Sequence, residues 1–561
     1  MLKNQTEAVE IYALLESMIA LCEHMCTAVK GGDRSTAAHC GQTLGLAVQS
    51  LRTVSERIDR EQPQITLHNF CRTIECSLLR VLSFRKGYVM KCEFELLPVL
   101  EELRLYFYYW GCVFPSPKKI ERYRKEKLPE LASNRYINRA EAEGKYKYDL
   151  SISIQAYNHL EDATKQCVES LLRHLPGNLK YELIFLNNGS SDGTKEFFER
   201  FRPTKQLDMP VNYGGRLALW RVYEGRYVLA ISNDVFMLHH SIRNMLKCMD
   251  SDEKISFLVP QTPNISNLQA LGIPCDCSEF TPEIEHYARE KNQYQPNRHI
   301  QRARLCNPLS LFRSRDVFSN RGILFNGLFY TDDLTLAFPD DAISLRVNRM
   351  GKKNILQKDA FCYHMGQVTI KDDLAKQNEN QVYQQGREAF FKEFGADPWG
   401  TGFCFDLYLM QAIQFSPKGH IDILGVNSGL GDNPLQIKEA YKEYFGLTDA
   451  ALYCVYEDDI LGQSMAGIAD VFKRIEGARD LKRIFPQLKF DHIIMEDPFR
   501  KRTEPEALIR LFQKRLKPDG EFALRLTNQQ AEQLQKKEPE YRYCQGQSGV
   551  WVIGGCAGEK N

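Results

Sequence analysis

The chain has 561 residues, a hydrophobic content of 43% and a formal net charge of +1, from 73 lysines and arginines against 72 aspartates and glutamates. This length predicts about three domains, and the balanced charge argues against a general nucleic-acid or membrane-surface binder. We expect no integral membrane segment and no secretory leader. The 17 cysteines are scattered, so we expect reduced thiols in a cytoplasmic protein.

The N-terminal part of the sequence has the apolar spacing of helices. Four amphipathic stripes between residues 8 and 110, the first beginning with Ile11 and Leu15, predict four helices joined by short loops. Such helices pack as an antiparallel bundle, which we assign to residues 1–114 and to docking of a partner or acceptor, or to homo-oligomerisation. Residues 115–145 are basic and punctuated by proline, which is typical of a linker.

Two apolar strands in the central part of the sequence each end in a polar cluster. Leu150 to Ile154 leads to Tyr157 and Asn158, while Glu182 to Leu186 runs into the polar turn from Asn187 to Thr194. Helical spacing follows each cluster, and this alternation of strand and helix predicts a parallel sheet. Ligands bind beyond the carboxyl ends of strands in such sheets, so the two clusters are candidates for one binding site.

Five short motifs in order resemble those of the family 2 glycosyltransferases, which have the GT-A fold. They are YN at Tyr157, NGSSDGT from Asn187, NxG from Asn212, EGRYVL from Glu224 and NDV from Asn233. The resemblance covers about residues 148–400, and it implies that residues 146–400 form a Rossmann-like domain with a mixed sheet. It also implies a nucleotide-sugar donor, such as a UDP- or dTDP-sugar, and Mn²⁺ or Mg²⁺ to offset the charge of the departing diphosphate.

The resemblance implies two metal ligands, Asp234 and His364. Asp234 follows a predicted strand where the family has its acidic motif, which is reduced here to a single acid. His364 lies at a strand end where the family often has a ligating histidine, and a second ligand compensates for the reduced motif. The alternatives are that Asp234 caps a turn and that His364 is an ordinary structural histidine.

Several side chains are predicted to contact the donor. Tyr157 resembles the family's aromatic residue that packs on the nucleobase, and Asn187 stands where the family has an aspartate that contacts the base or ribose. Asparagine accepts a hydrogen bond without charge, so the choice between uracil and thymine stays open. Arg216 lies in the glycine-rich stretch NYGGR, which suits contact with phosphate. The donor-binding prediction comprises Tyr157, Asn158, Asn187, Asp192, Arg216 and Asn233.

The motif PDDAISLRVNRMG resembles the segment that carries the family's catalytic acid. Counting back from Arg346 places the acid–base position on Asp340, but Pro339 and Ala342 stand where the family has further acids. Asp341 is therefore an alternative base. An inverting transferase needs one carboxylate to take the proton of the acceptor hydroxyl. The structural alternative is that both aspartates cap the helix that follows.

Residues 415–561 resemble a Rossmann-like methyltransferase that uses S-adenosylmethionine. The match is best at LKPDGEFALRL, and the resemblance implies a cofactor loop with Gly429 and Gly431 and a ribose-binding acid at Glu457. The loop departs from the family, because an acid is expected at Gly425 and a glycine at Asn427. We therefore favour a degenerate domain for scaffolding or acceptor recognition, with S-adenosylmethionine as the less favoured alternative cofactor.

The sequence thus predicts an α/β multidomain protein with an N-terminal helical bundle, a central GT-A domain and a C-terminal methyltransferase-type domain. The predicted function is an inverting, metal-dependent hexosyl- or deoxyhexosyltransferase. Its acceptor is a hydroxyl of a protein, such as a flagellin or surface-layer subunit, or of a surface polysaccharide. The alternatives are a bifunctional glycosyltransferase and methyltransferase, and a non-catalytic scaffold that keeps the transferase fold.

Overall fold

The computed structural model describes the first two helices and most of the residues after position 145. The described residues are 5–61, isolated positions between 71 and 107, 146–208, 223–317, 338–366, 379–399, 404–500 and 503–556. Three predictions fall partly or wholly outside them: most of the third and fourth N-terminal helices, the linker at 115–145, and Arg216.

The two described N-terminal helices are α1, Gln5–Lys30, and α2, Arg34–Glu61. Asp33 caps α2, because its Oδ1 accepts a hydrogen bond from Thr36 N at 3.0 Å. The buried stripe of α1 packs against that of α2, as the apolar spacing predicts. The four-helix bundle stays a prediction.

Helix α1 is the one described helix that meets the length and composition test for a membrane span, whereas the sequence predicts no integral membrane segment. Its residues Glu7–Lys30, with a mean hydropathy of 1.2, are long and apolar enough to cross a membrane by length and composition. Of that window 39% is buried inside the protein, and the core helix of a soluble protein passes the same test of length and composition.

The central domain is built on a mixed sheet of eight strands. Its order is β3-β2-β1-β4-β8-β6-β9-β7, in which β1, β2, β3 and β4 are parallel and β8 runs antiparallel to β4 and β6. The predicted parallel pairing of the first two strands is confirmed. A short antiparallel pair, β5 with β10, lies beside this sheet. The strands are Tyr148–Ala156 (β1), Tyr181–Asn187 (β2), Lys205–Asp208 (β3), Gly225–Ser232 (β4), Val235–Phe236 (β5), Ile255–Gln261 (β6), His299–Arg302 (β7), Leu309–Arg313 (β8), Lys353–Phe361 (β9) and Tyr363–His364 (β10).

Helices cover this sheet and complete its core. A π-helical turn, Leu160–Thr164, starts the first of them. The apolar strand positions are buried against these helices, since parallel strands covered on both faces read as continuous apolar runs. The helices are Lys165–His174 (α3), Thr194–Arg200 (α4), Ser241–Ser251 (α5), Pro282–Lys291 (α6), Ser314–Val317 (α7), Pro339–Arg349 (α8), Glu379–Phe394 (α9) and Leu407–Ala412 (α10).

The C-terminal domain has a seven-stranded sheet of order β13-β12-β11-β14-β15-β17-β16. Strands β11 to β15 pair in parallel, and β17 runs antiparallel to β15 and β16. The first five strands follow the Rossmann order, in which the strand sequence reverses on either side of β11. The strands are Ile421–Val426 (β11), Ala450–Tyr456 (β12), Val471–Arg474 (β13), Phe490–Met495 (β14), Leu516–Leu526 (β15), Arg542–Gly546 (β16) and Gly549–Gly555 (β17). The helices are Asp432–Phe445 (α11), Asp459–Gln463 (α12), Leu481–Ile484 (α13), Pro505–Gln513 (α14) and Asn528–Lys537 (α15), with 3-10 turns at Ser464–Gly467 and Ala478–Asp480.

Candidate active site

The polar residues predicted at the strand ends meet at one edge of the central sheet. Strands β1 and β2 end side by side, with Ala156 opposite Asn187, and β4 ends at Ser232 opposite Gln155 of β1. Asn233 follows β4 directly, and its backbone N donates to Gln155 O at 3.1 Å. The carboxyl ends of three adjacent parallel strands therefore form the edge where ligands bind in such sheets.

Asn158 joins the three strand ends through hydrogen bonds. Its Oδ1 accepts from Ser191 N at 2.9 Å, its N donates to Ser190 Oγ at 2.9 Å, and its O accepts from Asn233 Nδ2 at 3.1 Å. Asn158 has a φ of +55°, a left-handed conformation that asparagine tolerates better than most residues. It therefore fixes the shape of this edge whether or not its side chain touches a donor.

Asn187 and Asp192 also serve the local turn. Asn187 Oδ1 accepts a hydrogen bond from Ser190 N at 2.9 Å. Asp192 accepts from Leu160 N at 2.8 Å and from Thr194 Oγ1 at 2.7 Å. Burial opposes ionisation, but these hydrogen bonds to the carboxylate outweigh it and lower the pKa of Asp192. Asp192 is thus an ionised residue that ties the turn to the start of the π-helical segment. Donor contact for Asn187, Asp192 and the half-buried Tyr157 stays a prediction.

The two residues that the family resemblance implies as metal ligands, Asp234 and His364, lie together. The Nε2 of His364 is 3.3 Å from Oδ2 of Asp234, and both residues are 5% exposed. The pairing of β5 with β10 brings them together, because it sets His364 opposite Val235, the residue after Asp234. Met365 N also donates to Asp234 O at 3.0 Å.

The chemistry of this pair fits a divalent metal. Two ligands that bind one metal at about 2.1 Å and at right angles lie about 3 Å apart, close to the observed separation of Oδ2 and Nε2. The other ring nitrogen of His364, Nδ1, is buried and has no hydrogen-bond partner among the described residues, whereas a ligating histidine usually donates from this position. Within the described part of the protein, no group of three histidine, cysteine or acidic side chains could hold a metal. A metal here would therefore rely on two protein ligands plus donor oxygens and water.

The two candidate bases occupy different environments at the start of α8. Asp341 is buried, and its Oδ1 is 3.1 Å from Nη1 of Arg304. Burial raises the pKa of Asp341 although the charge of Arg304 opposes that change. Asp340 is half-buried, and its Oδ2 accepts from Asn307 N at 3.2 Å. Asp340 is thus the more accessible of the two carboxylates.

Asn307 connects Asp340 to the end of β4. The next residue, Pro308, accepts a hydrogen bond from Ser232 N at 2.9 Å, two residues before Asp234. When the Asn307 amide is oriented so that its Nδ2 faces Asp340, the side chain donates to Asp340 as well. Two hydrogen bonds through adjacent residues therefore link the candidate base to the strand that precedes the candidate metal ligand. Asn307 and Arg304 carried no motif signal, because they follow the short strand β7 in an irregular stretch.

The predicted cofactor loop of the C-terminal domain is buried. Gly429 and Gly431 have φ values of +53° and +80°, left-handed conformations in which glycine is favoured. The side-chain Oε2 of Glu457 accepts from Asn427 Nδ2 at 3.3 Å and from Arg500 N at 2.9 Å. Glu457 is 9% exposed, so its carboxylate serves the loop and the neighbouring segment. Cofactor binding by these three residues stays a prediction.

Comparison with known proteins places the resemblance on the central domain. Residues 151–301 match the description "Glycosyl transferase family 2". No curated protein matches the sequence.

Solved structures of glycosyltransferases are similar to this protein at low identity. One, of GalNAc-T7 with UDP, GalNAc and Mn²⁺, has 13% identity and a TM-score of 0.29, and the match covers 39% of this chain and 44% of that one. Another, of Staphylococcus aureus TarS 1-349 with UDP-GlcNAc, has 14% identity and a TM-score of 0.27, covering 45% and 74%. A third, the mannosyltransferase PcManGT from Pyrobaculum calidifontis with GDP-Man and Mn²⁺, has 11% identity and a TM-score of 0.30, covering 62% and 83%. The match thus spans less than half of the length of GalNAc-T7. A glycosyltransferase family 2 domain occupies residues 151–301 of this protein.

Proposed function

We propose that this protein is an inverting, metal-dependent glycosyltransferase. The observation that carries the proposal is the meeting of Asp234 with His364 at the carboxyl edge of the sheet, with Asp340 linked to the same edge through Asn307 and Pro308. One site thus combines candidate metal ligands with an accessible carboxylate. The family 2 match supports the reaction class.

Each side chain in the proposal has a separate task. Asp234 and His364 hold Mn²⁺ or Mg²⁺, which when bound offsets the charge on the departing diphosphate of a nucleotide sugar. Asp340 takes the proton of the acceptor hydroxyl as that oxygen attacks the anomeric carbon and the bond from this carbon to the diphosphate breaks. Asp341 stays paired with Arg304 and supports the helix start.

The test uses the purified full-length protein with a panel of UDP-, dTDP- and GDP-sugars and either metal. We expect calorimetric binding of at least one donor and slow release of its nucleoside diphosphate, both dependent on Mn²⁺ or Mg²⁺. The absence of binding and release with every donor would contradict the proposal. The panel also identifies the nucleobase and distinguishes hexose from deoxyhexose donors.

The proposed acceptor is a protein of the flagellin or surface-layer type or a surface polysaccharide, modified in the cytoplasm. Support comes from the helical N-terminal segment that precedes the transferase domain in the sequence, which suits docking of a large acceptor. The surface proteins and glycans of cells with and without this protein are compared by mass spectrometry. A missing sugar on one class identifies the acceptor, and identical spectra would contradict both acceptor classes.

A bifunctional glycosyltransferase and methyltransferase is the second candidate. It is favoured by the Rossmann strand order of the C-terminal sheet, whose glycine-bearing loop follows β11 at the point where the order reverses. Calorimetry with S-adenosylmethionine tests it, and the absence of heat at high protein concentration would exclude it. The third alternative is a non-catalytic scaffold. It would be favoured if an Asp340→Asn or Asp234→Ala variant showed unchanged turnover in a glycan assay.

A further inference from the structure

The start of helix α11 in the C-terminal domain contacts the transferase domain. Residues 421–437, which include strand β11, the glycine-bearing loop and the start of α11, are all buried. Asp432, the first residue of α11, has no exposed surface, and its Oδ1 accepts a hydrogen bond from Ala303 N of the transferase domain at 3.3 Å. Ligands of Rossmann folds bind at this position of the sheet, and here it faces another domain of the same protein.

Strand β7 supplies much of the opposite surface. Arg302 is 1% exposed, its Nη1 donates to Gln436 Oε1 at 3.0 Å, and its guanidinium lies 4.3 Å from the ring of Phe405. A guanidinium that is buried, hydrogen-bonded and stacked is held in one orientation. The contact between α11 and β7 is therefore a specific interface.

A second contact holds the C-terminal end of α8. The turn Ser464–Gly467 packs against this helix, and Arg349 Nε at the end of α8 donates to Ser464 Oγ at 3.3 Å. The same turn is bound to strand β7, because Gln301 Nε2 donates to Gly467 O at 2.7 Å. A Cβ on Gly467 would lie 2.2 Å from Lys352 O and 2.9 Å from Asn348 Cα. The close approach of the two backbones thus requires glycine at position 467.

The two contacts act on opposite ends of the same element. Gly467 touches the end of α8, while Asp432 bonds to the backbone one residue before Arg304. Arg304 pairs with Asp341 at the start of α8, and the charge of Asp432 also acts on this guanidinium. Asp340 lies in the first turn of α8, between the contact of Gly467 at one end of the helix and the ion pair of Arg304 with Asp341 at the other.

We propose that the C-terminal domain is a brace for helix α8 and that Asp432 and Gly467 are positioning residues for the carboxylate of Asp340. The brace docks through the start of α11 and the turn Ser464–Gly467. This inference rests on the proposed function for its effect on turnover, but the brace itself is a structural claim that is measured separately.

The test compares Gly467→Ala with Gly419→Ala in the full-length protein. Gly419 lies in the same domain, and a Cβ there would meet nothing within 4 Å. Hydrogen exchange of the amides of α8 reports the brace without any substrate. We expect Gly467→Ala to increase exchange in α8 at least tenfold and Gly419→Ala to leave it unchanged. Equal exchange in the two variants would overturn the proposal.

The second readout separates positioning from general damage. With the donor identified by the panel, we expect Gly467→Ala and Asp432→Asn to lower kcat at least tenfold while the donor Kd stays within twofold of that of the unmodified protein. The donor edge lies at β1, β2 and β4, away from the brace, which is why its affinity is spared. A parallel loss of donor affinity and kcat, or an unchanged kcat, would overturn the positioning role. If no donor reacts with the unmodified protein, the proposed function fails, and hydrogen exchange still decides the brace.

Discussion

Replacing Asp340 and Asp341 one at a time shows which of the two carboxylates is the catalytic base and which only stabilises the fold. Asp341→Asn removes the charge that faces Arg304 at 3.1 Å, in a place where the two side chains are only 10% and 16% exposed. Breaking a buried ion pair by removing one partner costs about 3–5 kcal/mol. Asparagine keeps an oxygen for the guanidinium, and Arg304 also donates to Pro398 O at 3.4 Å, so we expect the lower end of that range. A loss of about 3 kcal/mol lowers the Tm of a domain of this size by about 6–12 °C.

Asp340→Asn is expected to change the Tm little and the turnover strongly. Asp340 is half-buried in the first turn of α8, so losing its charge removes a helix-dipole interaction of about 0.3–1 kcal/mol and shifts the Tm by a few degrees at most. Loss of a general base lowers kcat by about 10²–10⁴-fold, which corresponds to about 3–5 kcal/mol of barrier.

Both variants are measured by thermal unfolding and by release of nucleoside diphosphate from the donor, at a temperature where each is folded. We expect Asp340→Asn to lose turnover and keep its Tm, and Asp341→Asn to lose Tm and keep most of its turnover. The reverse pattern would refute the assignment of Asp340 as the base and transfer that role to Asp341.

Three further predictions concern the metal, the acceptor and a buried acid. Asp234→Asn and His364→Ala are each expected to weaken Mn²⁺-dependent donor binding at least tenfold by calorimetry, and unchanged binding would argue that the pair is only structural. Trp399 is 57% exposed, and its ring lies 5.5 Å from that of Phe338, two residues before Asp340. Since aromatic faces line ligand sites, we expect Trp399→Ala to raise the acceptor KM several-fold with little change in donor Kd, and an unchanged KM would exclude an acceptor contact. Burial raises the pKa of Glu496 to about 8, although the hydrogen bond from Asn433 and the charge of Arg525 act in the opposite direction. Glu496 therefore loses its proton more readily in the unfolded protein than in the folded one. The free energy of unfolding consequently falls as the pH rises from about 4.5 to 8. Glu496→Gln should therefore raise the Tm at pH 8 and change it little at pH 4.5, and equal shifts at the two pH values would contradict the raised pKa.

The positions of Asp234 and His364 could be predicted from the sequence because strand ends are local features. Each residue follows an apolar run, and the carboxyl edge of a parallel sheet collects such ends wherever they fall along the sequence. The same reasoning placed the clusters at Asn158 and Asn187 at one edge, and the register of β1 and β2 confirms that placement, whereas Asn233 came from the family resemblance.

Arg304 and Asn307 could not be predicted, because their partners lie about 35 residues further along the sequence. A buried ion pair and a single backbone hydrogen bond leave no periodicity in a sequence. The motif placed the base on Asp340 with Asp341 as the alternative, and only the packing of α8 shows that Asp341 is buried and Asp340 half-buried. The contacts of Asp432 and Gln436 with strand β7 and the residue after it could not be predicted for a similar reason, since they depend on a different domain.

Strand β7 is the last strand of the central sheet, and α11 lies against it. An outer strand with unpaired N–H and C=O groups is a template for pairing with other proteins, and a covering helix is one of the ways in which proteins protect it. A fragment shortened to end at residue 400 would lose α11 and would also expose the guanidinium-lined surface around Arg302. Such a fragment is expected to self-associate through β7, so the transferase domain and the C-terminal domain are better regarded as one folding unit than as two separable modules.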